Sequence, residues 1–374
     1  MSSKVVYVMS DVKKSLSFEW IATSSLARDF ELSFVLMNDT DSPLERFLIK
    51  KNIPVTRFAC SGKKDLPLAV LKLVSHFRKL KPDVVHTHLT HANLAGLAAA
   101  KLTGVKRRFF TRHHANFVRL FHPHAVIYDR ISASLATGIV AASQNVRDYL
   151  TEVESVPSAK VHLIHFGFDS AEYEKISDQR VSVLRKKYRL EAGSPVVGMI
   201  SRYTSIKGTE YVLRAFQSLL DSYPHLCLVL ANAKNSPYRQ ELQGLFDQIP
   251  AQNIREIVFE EDAPALYRLF DVFVHVPTDP VSEAFGQVYV EALLAGAPSV
   301  FTLSGVAREF IEHEKNAQVV AFKDAEGIER AIRSLLDHRA SAQEMACRGR
   351  ADAKSRFALA PMIEGLKRLY LAGD

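Results

Sequence analysis

Residues 194–232 read SPVVGMISRYTSIKGTEYVLRAFQSLLDSYPHLCLVLAN, and their alternation decides the fold. A short β-branched run, SPVVGMIS, leads through a glycine into TEYVLRAFQSLLDSY, whose apolar residues recur at helical spacing. A second apolar run, LCLVLAN, follows. Strands that are apolar on both faces and separated by helices are what a parallel sheet requires. IREIVFE, DVFVHVP and APSVFT carry the alternation on to residue 302. Before residue 170, KVVYVMS, LSFVLMN, PDVVHTH, RRFFTRHH, GIVAAS and VHLIHFG do the same, spaced by helical text such as PLAVLKLVSHFRKLK and NLAGLAAAKLTG. The chain therefore reads as an α/β protein of two Rossmann-like domains. The charged stretch 171–194, AEYEKISDQRVSVLRKKYRLEAGS, is the expected connection between them.

The length of 374 residues agrees with two domains, and 47% hydrophobic with 24% charged residues excludes a disordered or disulfide-stapled chain. Cys60, Cys227 and Cys347 stand far apart in no metal-ligand spacing, which points to a reducing compartment. Lys101, Arg130 and Arg147 interrupt the apolar runs before any spans a bilayer, and the first residues lack a signal peptide's apolar stretch. The expected location is cytoplasmic, with contact at a membrane surface as the further expectation.

Charge is divided unevenly. Residues 1–170 carry 23 Lys/Arg against 14 Asp/Glu, and residues 171–374 carry 25 against 27. A basic front half meets something anionic, such as phospholipid headgroups, a lipid pyrophosphate or an acidic glycan, or is simply a solvated surface. No nucleic-acid-binding signature accompanies the charge, so nucleic acid is not an expected partner. The basic helical segment 69–81 either covers its own sheet or lies against a membrane.

Two stretches carry chemistry. In SEAFGQVYVEALLAGAP, residues 282–298, Glu283 and Glu291 stand eight apart around a helix start near Gly286. A helix N-terminus opened by glycine offers backbone N–H groups to a phosphate, and carboxylates accept hydrogen bonds from sugar hydroxyls. In SRYTSIKG, residues 201–208, Arg202 and Lys207 follow the first strand of the second domain, at the edge where open α/β sheets bind ligands. Two cations there neutralise a diphosphate without a metal ion. No Asp-x-Asp metal motif is placed for chemistry, since DTD at 39–41 falls in an early charged turn.

Taken in order, SRYTSIKG, VFEEDAPALYRLFDVFVHVP and SEAFGQVYVEALLAGAPSV resemble the retaining glycosyltransferases of family four, which have the GT-B fold. The shared pattern is a basic Arg…Lys loop followed by a Glu-x7-Glu motif with an FG step. PDVVHTH, TRHH, VHLIHFGFD and GVAREFIEHEKNA match at further points, so the resemblance covers nearly the whole chain. It implies two Rossmann-like domains facing a cleft. Residues 1–167 plus 357–374 would bind the acceptor and residues 168–356 the donor, with the last helix, in FALAPMIEGLKRLYLAG, crossing back to the first domain.

The same resemblance implies residue roles. Arg202 and Lys207 would hold the donor diphosphate, Glu283 the hydroxyls of the donor sugar, and Glu291 the ribose. Backbone N–H groups around Phe285, Gly286, Gln287 and Val288 would face the phosphate and sugar. His113 matches the histidine beside the transferred sugar, with His114 as the competing register, so His113, Glu283, Arg202 and Lys207 form the catalytic set. His86 and His88 end a strand on the ligand-facing edge, His88 toward the acceptor side, or are satisfied structural histidines. The implied reaction moves a sugar from a nucleotide-diphosphate donor to a hydroxyl of a glycan or lipid-linked acceptor, with retention, no cofactor and no metal. A nucleotide-sugar epimerase and an inactive transferase-like binding subunit are the alternatives. The chain departs from the family at three places: MSDVKKSLSFEW lacks the glycine pair after the first strand, LANAKNSPY replaces a glycine-rich step, and Phe166 stands where asparagine is usual.

Overall fold

The computed structural model describes residues 3–60, 62–191 and 193–372. Its internal contacts divide the chain into two compact units, one running through Phe168 and resuming at Leu359, the other Asp169–Ala358. No helix among the described residues is long and apolar enough to cross a membrane.

The first unit holds seven parallel strands: β1 (Lys4–Ser10), β2 (Glu31–Met37), β3 (Val55–Arg57), β4 (Val84–His88), β5 (Arg107–Arg112), β6 (Gly138–Ala141) and β7 (Val161–Leu163). Their order is β3-β2-β1-β4-β5-β6-β7. Val5–Ser10 and the whole of β4 are buried, as in a sheet covered on both faces; β1 is apolar from Val5 as far as Met9, whereas β4 also buries His86, Thr87 and His88. With crossovers of the usual right hand, the connections leading into β2 and β3 lie on one face and those leading into β4 and β5 on the other. Phe18, Ile21, Leu44 and Leu48 accordingly pack on one face, and Ala69, Leu73, Phe77, Ala92 and Ala99 on the other. The basic helix Leu66–Leu80 thus covers its own sheet through Ala69, Leu73 and Phe77.

The last helix, Leu359–Leu371, belongs to this first unit, as expected of the fold. Met362, Ile363, Leu366, Leu369 and Tyr370 join the cluster under β1, and the Tyr370 and Tyr7 hydroxyls are 2.7 Å apart in the buried interior. The three arginines of the β5 run turn inward. Arg107 donates to the Tyr370 carbonyl, Arg108 to the Leu135 and Val105 carbonyls, and Arg112 is buried in an ion cluster with Asp129 and Glu154. The strand's basic text therefore satisfies internal acceptors.

The second unit holds β8 (Val196–Ile200), β9 (Cys227–Ala231), β10 (Ile254–Ile257), β11 (Val272–His275), β12 (Ser299–Phe301) and β13 (Gln318–Val319), all parallel, in the order β10-β9-β8-β11-β12-β13. The stretch 171–190, expected as a connection, is fastened onto this unit. Arg180 makes a two-pronged contact with Asp262, at 2.9 and 2.5 Å, and Arg255 donates to the Tyr188 and Arg189 carbonyls. In both sheets the strand order reverses once, between β1 and β4 and between β8 and β11. At such a switch point the connections leave in opposite directions and open a crevice beyond the carboxyl ends of the strands.

Candidate functional site

In the second unit the crevice end of β8 runs into a short 3-10 turn, Ser205–Lys207, closed by Gly208 in the left-handed region at φ +76°. A Cβ on Gly208 would stand 2.0 Å from the Val276 carbonyl oxygen, so only glycine lets this loop lie against the segment leaving β11. Gly208→Ala is expected to cost about 2–4 kcal/mol of stability, combining an unfavourable backbone conformation with a backbone clash. Urea unfolding measures it; an unchanged midpoint would refute the packing.

That close approach brings Lys207 onto Glu283. Glu283 is 8% exposed, and its Oε1 accepts from the Lys207 ammonium and from His275 Nε2, the latter at 2.8 Å. The loop carrying Glu283 is pinned locally. Asp279 accepts from the Val281 N–H at 2.8 Å and the Ser282 hydroxyl at 2.5 Å, and the Glu283 N–H donates to Ser304 Oγ at 3.1 Å. Gly305, within GVAREF, is where a Cβ would lie 2.7 Å from Glu283 Cβ. Burial pushes the Glu283 carboxyl up, but Lys207 and His275 outweigh it and hold the group down to about 2. Burial lowers His275, and Nε2, facing the carboxylate, therefore carries the proton of a neutral ring.

The helix Gln287–Leu294 begins immediately after Gly286, whose φ is +84°, and no side chain caps it. Its first-turn N–H groups are thus an anion-binding end. The Phe285 ring is core, edge-on to Phe357 at 5.6 Å, so any ligand contact there belongs to its backbone. Gln287 and Val288 are half-buried in the first turn. Glu291, one helical turn and more beyond, is half-buried and accepts from Tyr267 Oη at 2.7 Å and from Tyr173. Burial raises its carboxyl against those two hydrogen bonds. Arg202 is exposed, two residues past the end of β8.

The first unit gathers histidines at its own switch point. His86 and His88 on β4 are 1% and 4% exposed and stack at 4.6 Å. His86 contacts the Tyr370 hydroxyl through Nδ1 and Thr111 Oγ1 through Nε2 at 2.9 Å. His88 lies flat on Tyr7, and its Nδ1 is 3.1 Å from His113 Nε2. Its own Nε2 is buried without a partner among the described residues. An orphaned lone pair is tolerated better than an orphaned N–H. The network therefore assigns the His88 proton to Nδ1, donating to His113 Nε2, and the His113 proton to Nδ1. Burial holds all three rings neutral: His86 down to about 3, His113 down to about 4, and His88 well below its ordinary value.

The two registers of TRHH separate in space. His113 joins His88 and stacks against Phe166 at 5.8 Å, whereas His114 turns to Asp129, 3.4 Å away, in the Arg112 ion cluster. His88, read as acceptor-side, is a buried support behind His113. The sequence reading passed over His275, Tyr267, Tyr173 and Ser304. Of these only His275 carried a signal, as the one polar residue inside the apolar run VFVHV, residues 272–276. At two of the three departures the chain itself takes a positive φ. Asp11 after β1 and Asn232 after β9 adopt φ of 57° and 62°, a region that Asp and Asn enter more easily than other non-glycine residues.

Comparison with known proteins follows the same division. Residues 22–172 match the family model described as Glycosyltransferase Family 4, and residues 181–352 match that described as Glycosyl transferases group 1. The capsular polysaccharide biosynthesis glycosyltransferase CapM of Staphylococcus aureus is 24% identical over 87% of this chain and 91% of its own length. The alpha-monoglucosyldiacylglycerol synthase of Acholeplasma laidlawii is 25% identical over 67% of this chain and 66% of its own. The chain spans about half the length of several other curated relatives that it matches. Among solved structures, Anabaena HepE in complex with UDP and glucose superposes with a TM-score of 0.83 at 22% identity, over 99% of this chain and 100% of that one. Two matched models in succession, with the two parallel sheets they correspond to, place the chain among the family four, group 1 glycosyltransferases, and it is a transferase enzyme.

Proposed function

We propose that this protein transfers a sugar from a nucleotide-diphosphate donor to an acceptor hydroxyl with retention of anomeric configuration. The observation that carries the reading is the Lys207–Glu283–His275 cluster at the β8/β11 switch point, next to the uncapped helix start at Gln287. As the glycosidic bond to the diphosphate breaks, negative charge grows on the leaving phosphate and positive charge on the sugar ring. Arg202, Lys207 and the first-turn N–H groups answer the first. Donors preset for a developing charge are worth roughly 3–4 kcal/mol each, because no solvent has to reorient. Glu283, kept ionised, binds donor-sugar hydroxyls. Glu291 exchanges its tyrosine partners for ribose hydroxyls. His113, neutral and with its proton on Nδ1, is the histidine for the transferred sugar.

The diphosphate charge is met by cations and backbone, so transfer is expected to survive EDTA. The Anabaena relative was solved with UDP and glucose, which makes a uridine-diphosphate sugar the first donor to test. The relatives' names, one in capsular polysaccharide and one in glycolipid synthesis, favour a glycan or lipid-linked acceptor. The test is donor turnover by the purified chain across a nucleotide-sugar panel, with the product's anomeric proton coupling read by NMR. An inverted linkage, or conversion of the donor sugar without any acceptor, would overturn retaining transfer; the second result would favour an epimerase.

A further inference from the structure

We propose that residues 117–131 of the first unit form a docking surface for an anionic lipid bilayer. After β5 ends and His113 and His114 have passed, the chain forms the short helix Phe117–Phe121, a turn at Pro123–Ala125 and the helix Val126–Leu135. Every residue from Arg119 to His124 is exposed. Four of the unit's exposed large apolar side chains crowd into this stretch: Leu120 at 54%, Phe121 at 40%, Ile127 at 50% and Ile131 at 40%. Ile127 and Ile131 are four apart and share one helix face, whereas Asp129 and Ser132 of the same helix are buried. Lys63, just before the helix Leu66–Leu80, sits over the Tyr128 ring at 4.9 Å and so reaches this stretch.

The charges say what covers this face. Exposed Arg119 and Arg130 flank the apolar side chains, and neither has an ion-pair partner among the described residues. The one acidic residue between 116 and 135, Asp129, is buried against Arg112 at 3.0 Å. Lys63 and Lys64 extend the positive rim. A second copy of the chain docked on the same patch would set these cations against their own images, since a two-fold interface is self-complementary. An anionic bilayer takes both components: its interface accepts Leu, Phe and Ile, and its headgroups accept the arginines and lysines. The patch begins four residues after His113, at the carboxyl edge of the sheet. If the acceptor is lipid-linked, as the reading above allows, the same contact brings acceptor and His113 to one surface.

The full chain would be sedimented with vesicles of phosphatidylcholine alone and of phosphatidylcholine with phosphatidylglycerol, at low and high salt. Preferential, salt-sensitive partition into the anionic vesicles is expected. The double variants Leu120→Ser/Phe121→Ser and Arg119→Glu/Arg130→Glu should each weaken it about tenfold or more. Arg78→Glu/Lys79→Glu, at the far end of the basic helix, should leave it unchanged. Thermal midpoints within a degree or two of wild type would show that the variants are folded. Undiminished partition in the first two variants, or loss only in the third, would overturn the assignment. So would a dimer in sedimentation velocity that Leu120→Ser/Phe121→Ser abolishes. Normal vesicle binding without transfer to any lipid acceptor would leave the surface standing and remove the acceptor reading.

Discussion

Lys207→Ala is expected to lower kcat/KM for the nucleotide sugar by two to three orders of magnitude and to lower stability by about 2–4 kcal/mol. The sequence places Lys207 and Arg202 together in one loop, but the fold treats them differently. The Lys207 side chain is 13% exposed and bound to a buried carboxylate, whereas Arg202 is exposed. Removing the ammonium leaves Glu283 in the interior with His275 as its remaining donor of that pair, and an under-paired buried charge is costly. Arg202→Ala should reduce turnover with little change in the urea midpoint. The double variant Lys207→Ala/Glu283→Gln separates the two effects. It removes the stranded charge, so most of the lost stability returns, while turnover stays low because both the phosphate cation and the sugar-binding carboxylate are gone. Near-normal turnover in Lys207→Ala would refute its role at the diphosphate. An unshifted midpoint would refute the weight given to the ion pair.

The first unit should lose stability steeply on mild acidification. In the unfolded chain, histidines take up protons below about pH 6.5, whereas the folded unit keeps His86 and His113 neutral to about 3 and 4 and His88 to well below 6.5. Between those limits the unfolded state binds more protons, so stability is full above about 6.5 and falls as the pH drops toward 4. Each histidine contributes on the order of 1 kcal/mol per pH unit in that window. Trp20, the chain's single tryptophan, is buried in this unit, so its fluorescence reports this transition. Urea midpoints at several pH values from 7.5 to 5 should decline with a slope that His113→Asn makes shallower. A flat profile would mean that the rings are already charged or exposed. Glu283 adds a separate loss at lower pH, as its carboxylate is protonated between about 4.5 and 2.

Legibility followed the physical origin of each feature. The long central strands and the last helix were readable because burial on both faces, or on one stripe, writes itself as continuous or periodic apolar text. β3 and β13 were not, being three and two residues long with half-buried side chains such as Gln318 and Val319. The stretch 171–190 reads as a linker because it is charged, yet those charges are spent on partners far along the chain, as in Arg180 with Asp262 and Lys187 with Glu260. Lys207, Glu283 and Glu291 were visible as ordered motifs. Their neighbours His275, Tyr267 and Tyr173 reach them only through strand pairing and helix packing, which no local pattern encodes. TRHH left two histidines in competition because a one-residue step past the strand end reverses the side a residue faces, and only the positions of His88 and Asp129 show which is which.

The Tyr7–Tyr370 hydrogen bond has a consequence for how the chain is made. A ribosome releases the seven strands of the first unit long before it reaches the helix that seals them. All of Asp169–Ala358 emerges in between and has a complete core of its own. At about 5–20 residues per second the wait is on the order of ten to forty seconds. Throughout it, the face of β1 destined for Met362, Ile363, Leu366 and Tyr370 stays uncovered, an apolar surface open to chaperones. The nascent chain therefore finishes its second unit before its first, the reverse of the order in which they are translated.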